Sequence, residues 1–281
     1  MSRLLLKKKI VWQLPGEELL GWSGIHTVCE ESRCPNRAEC SAQKSATFLI
    51  GGDLCTRKCR FCHISDGDPL PFSAFYQKEK ETVLNALMQL HLEYVIITSV
   101  TRDDDPESLV SLFADLTRTI RGMGKEVELL IPDFNNRDSL LDDLASAQPH
   151  VIAHNVETVE RLTPFIRSGA QYKKSMELLQ YYATRHPKIV VKSGLMTGLG
   201  ESMDEIYLTL KDMKNSGVQI VTVGQYLQPS AAEIRVKKYY SDNDFNEIKE
   251  MIKSLQFKAS ACHAYVRSSY KGAELYRQCQ H

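Results

Sequence analysis

The chain has 281 residues, 43% apolar and 25% charged, the balance of one large folded domain rather than a disordered chain or a coiled coil. Lys+Arg and Asp+Glu number 35 each, so the formal charge is zero. A phosphate-tracking surface leaves a basic excess, so this balance argues against nucleic acid as the main partner, and no apolar run reaches the ~18 residues a membrane span needs. The chain opens Met1-Ser2-Arg3-Leu4-Leu5-Leu6 before Lys7-Lys8-Lys9. That apolar stretch is too short for the core of a signal peptide, which predicts a cytoplasmic location.

The first chemical signal is Cys29, Cys34 and Cys40, spaced C-x4-C-x5-C. Thr47-Phe48-Leu49-Ile50 follows as a short apolar strand ending in Gly51-Gly52, and then come Cys55, Cys59 and Cys62, spaced C-x3-C-x2-C. A reducing compartment keeps thiols free, so six cysteines this dense predict metal rather than disulfides. Structural zinc takes four ligands, usually as two short pairs. Three thiolates on one loop suit a cubane iron–sulfur cluster whose fourth iron stays open. The spacing alone leaves two alternatives standing. One is zinc, completed by His26 and His63. The other is a pair of all-thiolate electron-transfer clusters that draw on Cys262 and Cys279.

Five further apolar runs recur along the chain, each closed by polar residues. Tyr94–Ile97 leads into Thr98, Ser99, Arg102 and Asp103. Val127–Ile131 leads into Pro132-Asp133, and Val151–Ala153 into Asn155 and Glu157. Ile189–Val191 leads into Lys192, and Val218–Val223 into Gln225 and Tyr226. Short β-branched runs are what a strand buried on both faces requires. Helical stripes alternate with them: Val83, Leu84, Leu87 and Met88; Met203, Ile206, Leu210 and Met213, started by Ser202 with Glu205 and stopped by Gly217; then Phe245, Ile248, Met251, Ile252 and Leu255. These stripes are read as core. Gly198-Leu199-Gly200 matches neither phosphate-loop pattern. Six β-then-α units predict an α/β fold, a partial (β/α)6 TIM-type barrel over residues 45–256. Extensions over 1–44 and 257–281 are integrated with it. In such barrels the chemistry sits where strands end, so Thr98, Ser99, Arg102, Asp103, Asn155, Glu157, Lys192, Gln225 and Tyr226 are expected to face one mouth.

C-x3-C-x2-C with Phe61 before its last cysteine resembles the radical S-adenosylmethionine superfamily, and the flanking motifs resemble lipoyl synthases within it. Thr27-Val28-Cys29-Glu30-Glu31-Ser32-Arg33-Cys34-Pro35-Asn36, Arg102-Asp103-Asp104, His154-Asn155-Val156-Glu157-Thr158, Lys192-Ser193-Gly194-Leu195-Met196, Gly224-Gln225-Tyr226-Leu227-Gln228-Pro229-Ser230 and Arg267-Ser268-Ser269-Tyr270 carry that likeness. It implies two 4Fe–4S clusters, one on Cys55, Cys59 and Cys62 that binds S-adenosylmethionine, and an auxiliary one on Cys29, Cys34, Cys40 and Ser269. It implies insertion of two sulfur atoms at C6 and C8 of a protein-bound octanoyl-lysine, with sulfur from the auxiliary cluster. The implied partners are octanoylated lipoyl domains of 2-oxoacid dehydrogenases, the glycine-cleavage H protein, a flavodoxin or ferredoxin donor, and the iron–sulfur assembly machinery. The mouth residues above, read from the strand-end pattern, are expected to contact the cofactor and the substrate. Ser269 is expected to mark the corner where the auxiliary cluster opens, because an alkoxide is a harder ligand than thiolate. Alternatives from other classes are a paralogous sulfur-inserting enzyme for another acyl or small-molecule substrate, and a non-catalytic iron–sulfur carrier. The sequence departs from the family pattern at His63, at Asp105-Pro106-Glu107-Ser108, at Ala232-Glu233-Ile234-Arg235-Val236 and at Cys262-His263-Ala264.

Overall fold

The computed structural model describes residues 27, 28, 36 and 47–280. Among them, seven parallel strands lie side by side in sequence order: β1 (Thr47–Ile50), β2 (Tyr94–Ser99), β3 (Glu126–Leu130), β4 (Val151–Ala153), β5 (Val190–Thr197), β6 (Ile220–Gln225) and β7 (Ala259–Cys262). β1 and β7 are not paired, so the barrel stays open along one flank. Parallel neighbours need crossovers, and helices supply them: α1 (Tyr76–Leu90), α2 (Pro106–Gly122), α3 (Asp138–Ser146), α4 (Thr163–Ile166), α5 (Tyr172–Arg185), α6 (Met203–Asn215) and α7 (Asp242–Ser254), with α8 (Gly272–Gln278) after the last strand.

All six apolar runs are strands. The seventh strand lies in the segment read as an extension, where Ala259-Ser260-Ala261-Cys262 carries the sheet one place further. Its Cys262 is a buried structural thiol, donating weakly to the Phe245 carbonyl and pushed up to about 12 by burial. The helix starts follow local chemistry. Ser202 and Glu205 form the expected capping box, and Ser241 with Asp244 forms a second. The departure at Asp105-Pro106-Glu107-Ser108 is also a helix start. Asp105 accepts from the Ser108 N–H at 3.0 Å and Pro106 takes the first turn.

The sheet separates two cores. Outside it, Phe113 and Leu116 of α2, Leu179 of α5, Leu210 of α6 and Ile248 of α7 pack on Val95, Ile97, Leu129, Val191 and Val221. Each such fully buried side chain contributes about 1.5–3 kcal/mol. Met88 leaves its predicted stripe and is 59% exposed. Inside the barrel, Tyr94, Val151, Val190, Ile220 and Ala259, each the first residue of its strand, form a floor closed by Leu275 and Tyr276 of α8. Directly above lies a buried polar group. Lys192 Nζ donates to Glu128 Oε1 at 2.7 Å, and Tyr94 Oη donates to Glu128 Oε2 at 2.6 Å.

Residues 263–271 return from β7 along the inside of the sheet to α8. Two glycines make that path possible. A Cβ on Gly224 would lie 2.0 Å from the Val266 carbonyl oxygen, and one on Gly272 would crowd the Tyr94 ring at 3.0 Å and Glu128 at 3.1 Å.

Candidate active site

The loop after β1 carries the second cysteine triplet and is fastened on three sides. The Gly51 and Gly52 N–H groups donate to Glu79 of α1 at 2.9 and 3.1 Å. Thr56 N–H and Oγ1 both reach the Thr101 carbonyl at 3.0 Å. Arg57 bridges two carboxylates, with bonds of 2.7 and 2.8 Å to Asp103 and of 2.7 and 2.8 Å to Asp133. Burial disfavours the Asp133 charge, but the bonds and charge of Arg57 prevail and hold its carboxyl at about 2.

So held, Cys55, Cys59 and Cys62 line one cavity of about 190 Å³ with Arg57, Asp133, His154, Asn155, Glu157 and Arg167. Each sulfur receives backbone N–H groups: Cys55 from Arg57 and Thr101, both at 3.4 Å, Cys59 from Ser168, and Cys62 from Ile64. Such bonds spread thiolate charge and tune a cluster's potential. Burial pushes the Cys62 thiol up to about 12 and raises Cys59, and iron at these sulfurs would favour the thiolates instead. Among the described residues, no three His, Cys, Asp or Glu side chains are grouped as around one metal ion. A cubane differs from zinc here, because each thiolate takes its own iron.

A second cavity of about 400 Å³ adjoins the first and shares Cys62, Thr98, Ser99, Asn155 and Glu157 with it. Its apolar walls include Leu49, Phe61, Leu130, Leu195, Met196, Pro229 and Val266. Where the two cavities meet, Ser99 Oγ and Asn155 Oδ1 are buried without a hydrogen-bond partner. Buried polar atoms are normally paired, so this pair of orphans fits a polar ligand. Asn155 Nδ2 donates to Glu157 Oε1 at 3.0 Å. Glu157 has φ +67°, a left-handed conformation that costs a non-glycine residue about 1–3 kcal/mol, and its N–H and carbonyl bond to Gly194 and Met196 of β5. Burial raises its carboxyl above the usual range, with Arg167 opposing. The three thiols, the orphaned oxygens and this strained carboxylate together fit a three-thiolate cluster and a polar, partly apolar cofactor beside it.

Of the nine expected mouth residues, Thr98, Ser99, Asn155, Glu157, Gln225 and Tyr226 line the larger cavity. The Gln225 amide is already spent, donating to the Thr197, Tyr226 and Lys238 carbonyls and accepting from the Tyr240 N–H. The remaining three sit elsewhere. Arg102 turns back to bond the Gly51 and Leu70 carbonyls and Asp104, with its guanidinium 4.3 Å over the Phe72 ring. Asp103 accepts two bonds from Arg57. Lys192 lies at the barrel floor, because β5 runs five residues past it. Ser268 lines the larger cavity, and Ser269 is half-buried in the adjoining turn. Cys29, Cys34, Cys40 and His26 lie outside the described residues. His63 bonds Glu233 at 2.8 Å, so two departures from the family pattern meet each other.

Sequence reading missed Arg57, Asp133 and Arg167. The first two lie inside quoted motifs; Arg167 has no pattern around it. Its guanidinium donates to Ser175 Oγ at 2.9 Å, that hydroxyl donates to His154 Nε2 at 2.9 Å, and His154 Nδ1 donates to the Ile131 carbonyl at 2.9 Å. His154 is therefore a neutral ring, lowered to about 4 first by burial and then by Arg167. Between pH 6.5 and 4 the unfolded chain binds a proton here that the folded chain refuses. Stability present above pH 6.5 is thus lost as pH falls towards 4, by about 3 kcal/mol. Denaturant titrations at pH 7.5 and 5.0 are expected to show a smaller acid loss in His154→Asn than in the unmodified protein.

Comparison with known proteins follows the same lines. The radical SAM superfamily model matches residues 49–213. A lipoyl synthase of Caldicellulosiruptor bescii is 44% identical over 255 residues, covering 90% of this chain and 87% of its own length. One of Pyrobaculum aerophilum is 43% identical over 258 residues, covering 91% and 88%. Among solved structures, coproporphyrinogen III oxidase of Escherichia coli shares the fold at a TM-score of 0.57 and 16% identity, over 75% of this chain and 53% of that one. Methylornithine synthase does so at 0.55 and 16%, over 75% and 63%.

Proposed function

The chain belongs to the lipoyl synthase family of the radical SAM superfamily, and on that premise we propose the following division of labour. The reaction is insertion of two sulfur atoms, at C6 and C8, into an octanoyl group held on a lysine of a carrier protein. Cys55, Cys59 and Cys62 hold the cluster that engages S-adenosylmethionine. When bound, this pair supplies a 5′-deoxyadenosyl radical able to take hydrogen from an unactivated carbon. The chain's own residues bind and shelter. Ser99, Asn155 and Glu157 take polar groups of the cofactor, with Arg167 balancing the charge beside Cys59. Leu49, Leu130, Met196, Pro229 and Val266 take the acyl chain and exclude water, which keeps a carbon radical from side reactions. Cys29, Cys34, Cys40 and Ser269 hold the auxiliary cluster that donates sulfur. The carriers are dehydrogenase lipoyl domains and the glycine-cleavage H protein, electrons come from a flavodoxin or ferredoxin, and the iron–sulfur assembly machinery rebuilds the donor.

The observation that carries this reading is the meeting of three N–H-bonded thiols with two orphaned buried oxygens at the edge of an apolar cavity. Protein purified and reconstituted without oxygen is expected to cleave two S-adenosylmethionine molecules for each octanoylated carrier domain that gains two sulfurs, followed by chromatography of 5′-deoxyadenosine and mass spectrometry of the domain. Reconstituted protein that leaves S-adenosylmethionine intact under dithionite would overturn it.

A further inference from the structure

Three segments remote in sequence meet on the barrel rim. The Arg60 N–H donates to the Ile166 carbonyl and the Ile234 N–H donates to the Arg60 carbonyl, both at 2.9 Å. Beneath them Ile166, Leu199 and Tyr226 pack with Phe61, Met196 and Ile234. Phe61, Met196 and Tyr226 also line the larger cavity, so this cluster is a wall with the site on one side and solvent on the other.

On the solvent side stand Arg60, Arg235 and Lys237, all exposed, beside Phe165, which is 65% exposed. None of the three cations has an ion-pair partner among the described residues. Of the carboxylates in the adjoining segments, Glu205 pairs with Arg161, Glu233 with His63 and Asp244 with Lys238, Glu201 accepts from the Gly198 and Leu199 N–H groups, and the exposed Glu160 and Asp204 pair with none of the three cations among the described residues. In a chain of zero formal charge, this uncompensated rim is a local arrangement, not a result of composition. Unpaired cations and an exposed aromatic ring on one rim complement an acidic protein surface that also offers an apolar contact.

We propose that Arg60, Arg235 and Lys237, with Phe165, dock the acidic face of a small acyl-carrying domain beside its modified lysine, so that the acyl arm passes over the Phe61–Tyr226 wall into the cavity. The proposal rests on the reading of the cavity as an acyl site but is tested apart from it. The full chain and an Arg60→Glu/Arg235→Glu variant are compared in calorimetric binding of an octanoylated lipoyl domain, and in turnover of a short octanoyl-lysine peptide. The variant is expected to bind the domain at least about tenfold more weakly at low salt, to lose most of the salt dependence of binding, and to turn over the peptide within about twofold of the unmodified rate. Unchanged domain affinity overturns the docking surface. So does an equal loss with domain and peptide, which marks a structural role. So does a single-stranded RNA that binds the patch more tightly than the domain. Failure of the unmodified, reconstituted protein to add sulfur to the octanoylated domain, with domain binding still lost in the variant, sinks the functional reading and leaves the docking surface standing.

Discussion

Replacing Cys55, Cys59 and Cys62 together by alanine is expected to remove about four irons per chain and lower 5′-deoxyadenosine formation at least about a thousandfold, with the fold intact. The sulfurs are partly buried at a cavity wall and are not members of the main hydrophobic cores, so their loss leaves little packing unfilled. The loop they sit on is held instead by Arg57, Thr56 and the Gly51–Gly52 pair, none of which changes. Iron and sulfide analysis, the visible thiolate-to-iron absorption and circular dichroism separate the outcomes. A triple variant with the full iron content and rate would place the chemistry elsewhere.

The second large effect is on stability. Lys192→Met leaves the Glu128 carboxylate buried with the Tyr94 hydroxyl as its remaining side-chain donor among the described residues, and breaking such a pair from one side costs about 3–5 kcal/mol. Changing Lys192→Met, Glu128→Leu and Tyr94→Phe together removes every polar atom of the group and is expected to recover most of that loss. Anaerobic urea unfolding of the single and triple variants measures it. The same comparison decides the role of Lys192. A triple variant that folds stably and keeps its rate confirms the floor position, whereas a stable but inactive one would restore the lysine to the cofactor.

What the sequence made legible was whatever repeats or has fixed spacing. Six strands stood out because both their faces are buried, so each is a β-branched run. The seventh, Ala259-Ser260-Ala261-Cys262, has small side chains facing a crowded interior and no such run. The cysteine triplet was legible because ligand spacing is a property of one loop. Arg167 was not, because it earns its place through Ser175 and His154, which come from other elements. Lys192 and Arg102 sit away from the mouth for one shared reason. A polar residue after an apolar run signals a strand end only if the chain turns there. β5 continues because its Lys192 finds Glu128, and Arg102 turns back because carbonyls and an aromatic ring receive it. Nothing local to either residue announces those partners.

Within β5, side chains two apart point the same way, so those of Val190, Lys192 and Met196 face inward, with Gly194 in register between them. The strand is thus a ruler. Lys192 and Met196 are separated by four steps, roughly 13 Å at about 3.3 Å each. A swap of residues at the lower end therefore leaves the upper graduations where they were, and the two ends are free to drift in sequence independently while one rigid rod keeps their spacing.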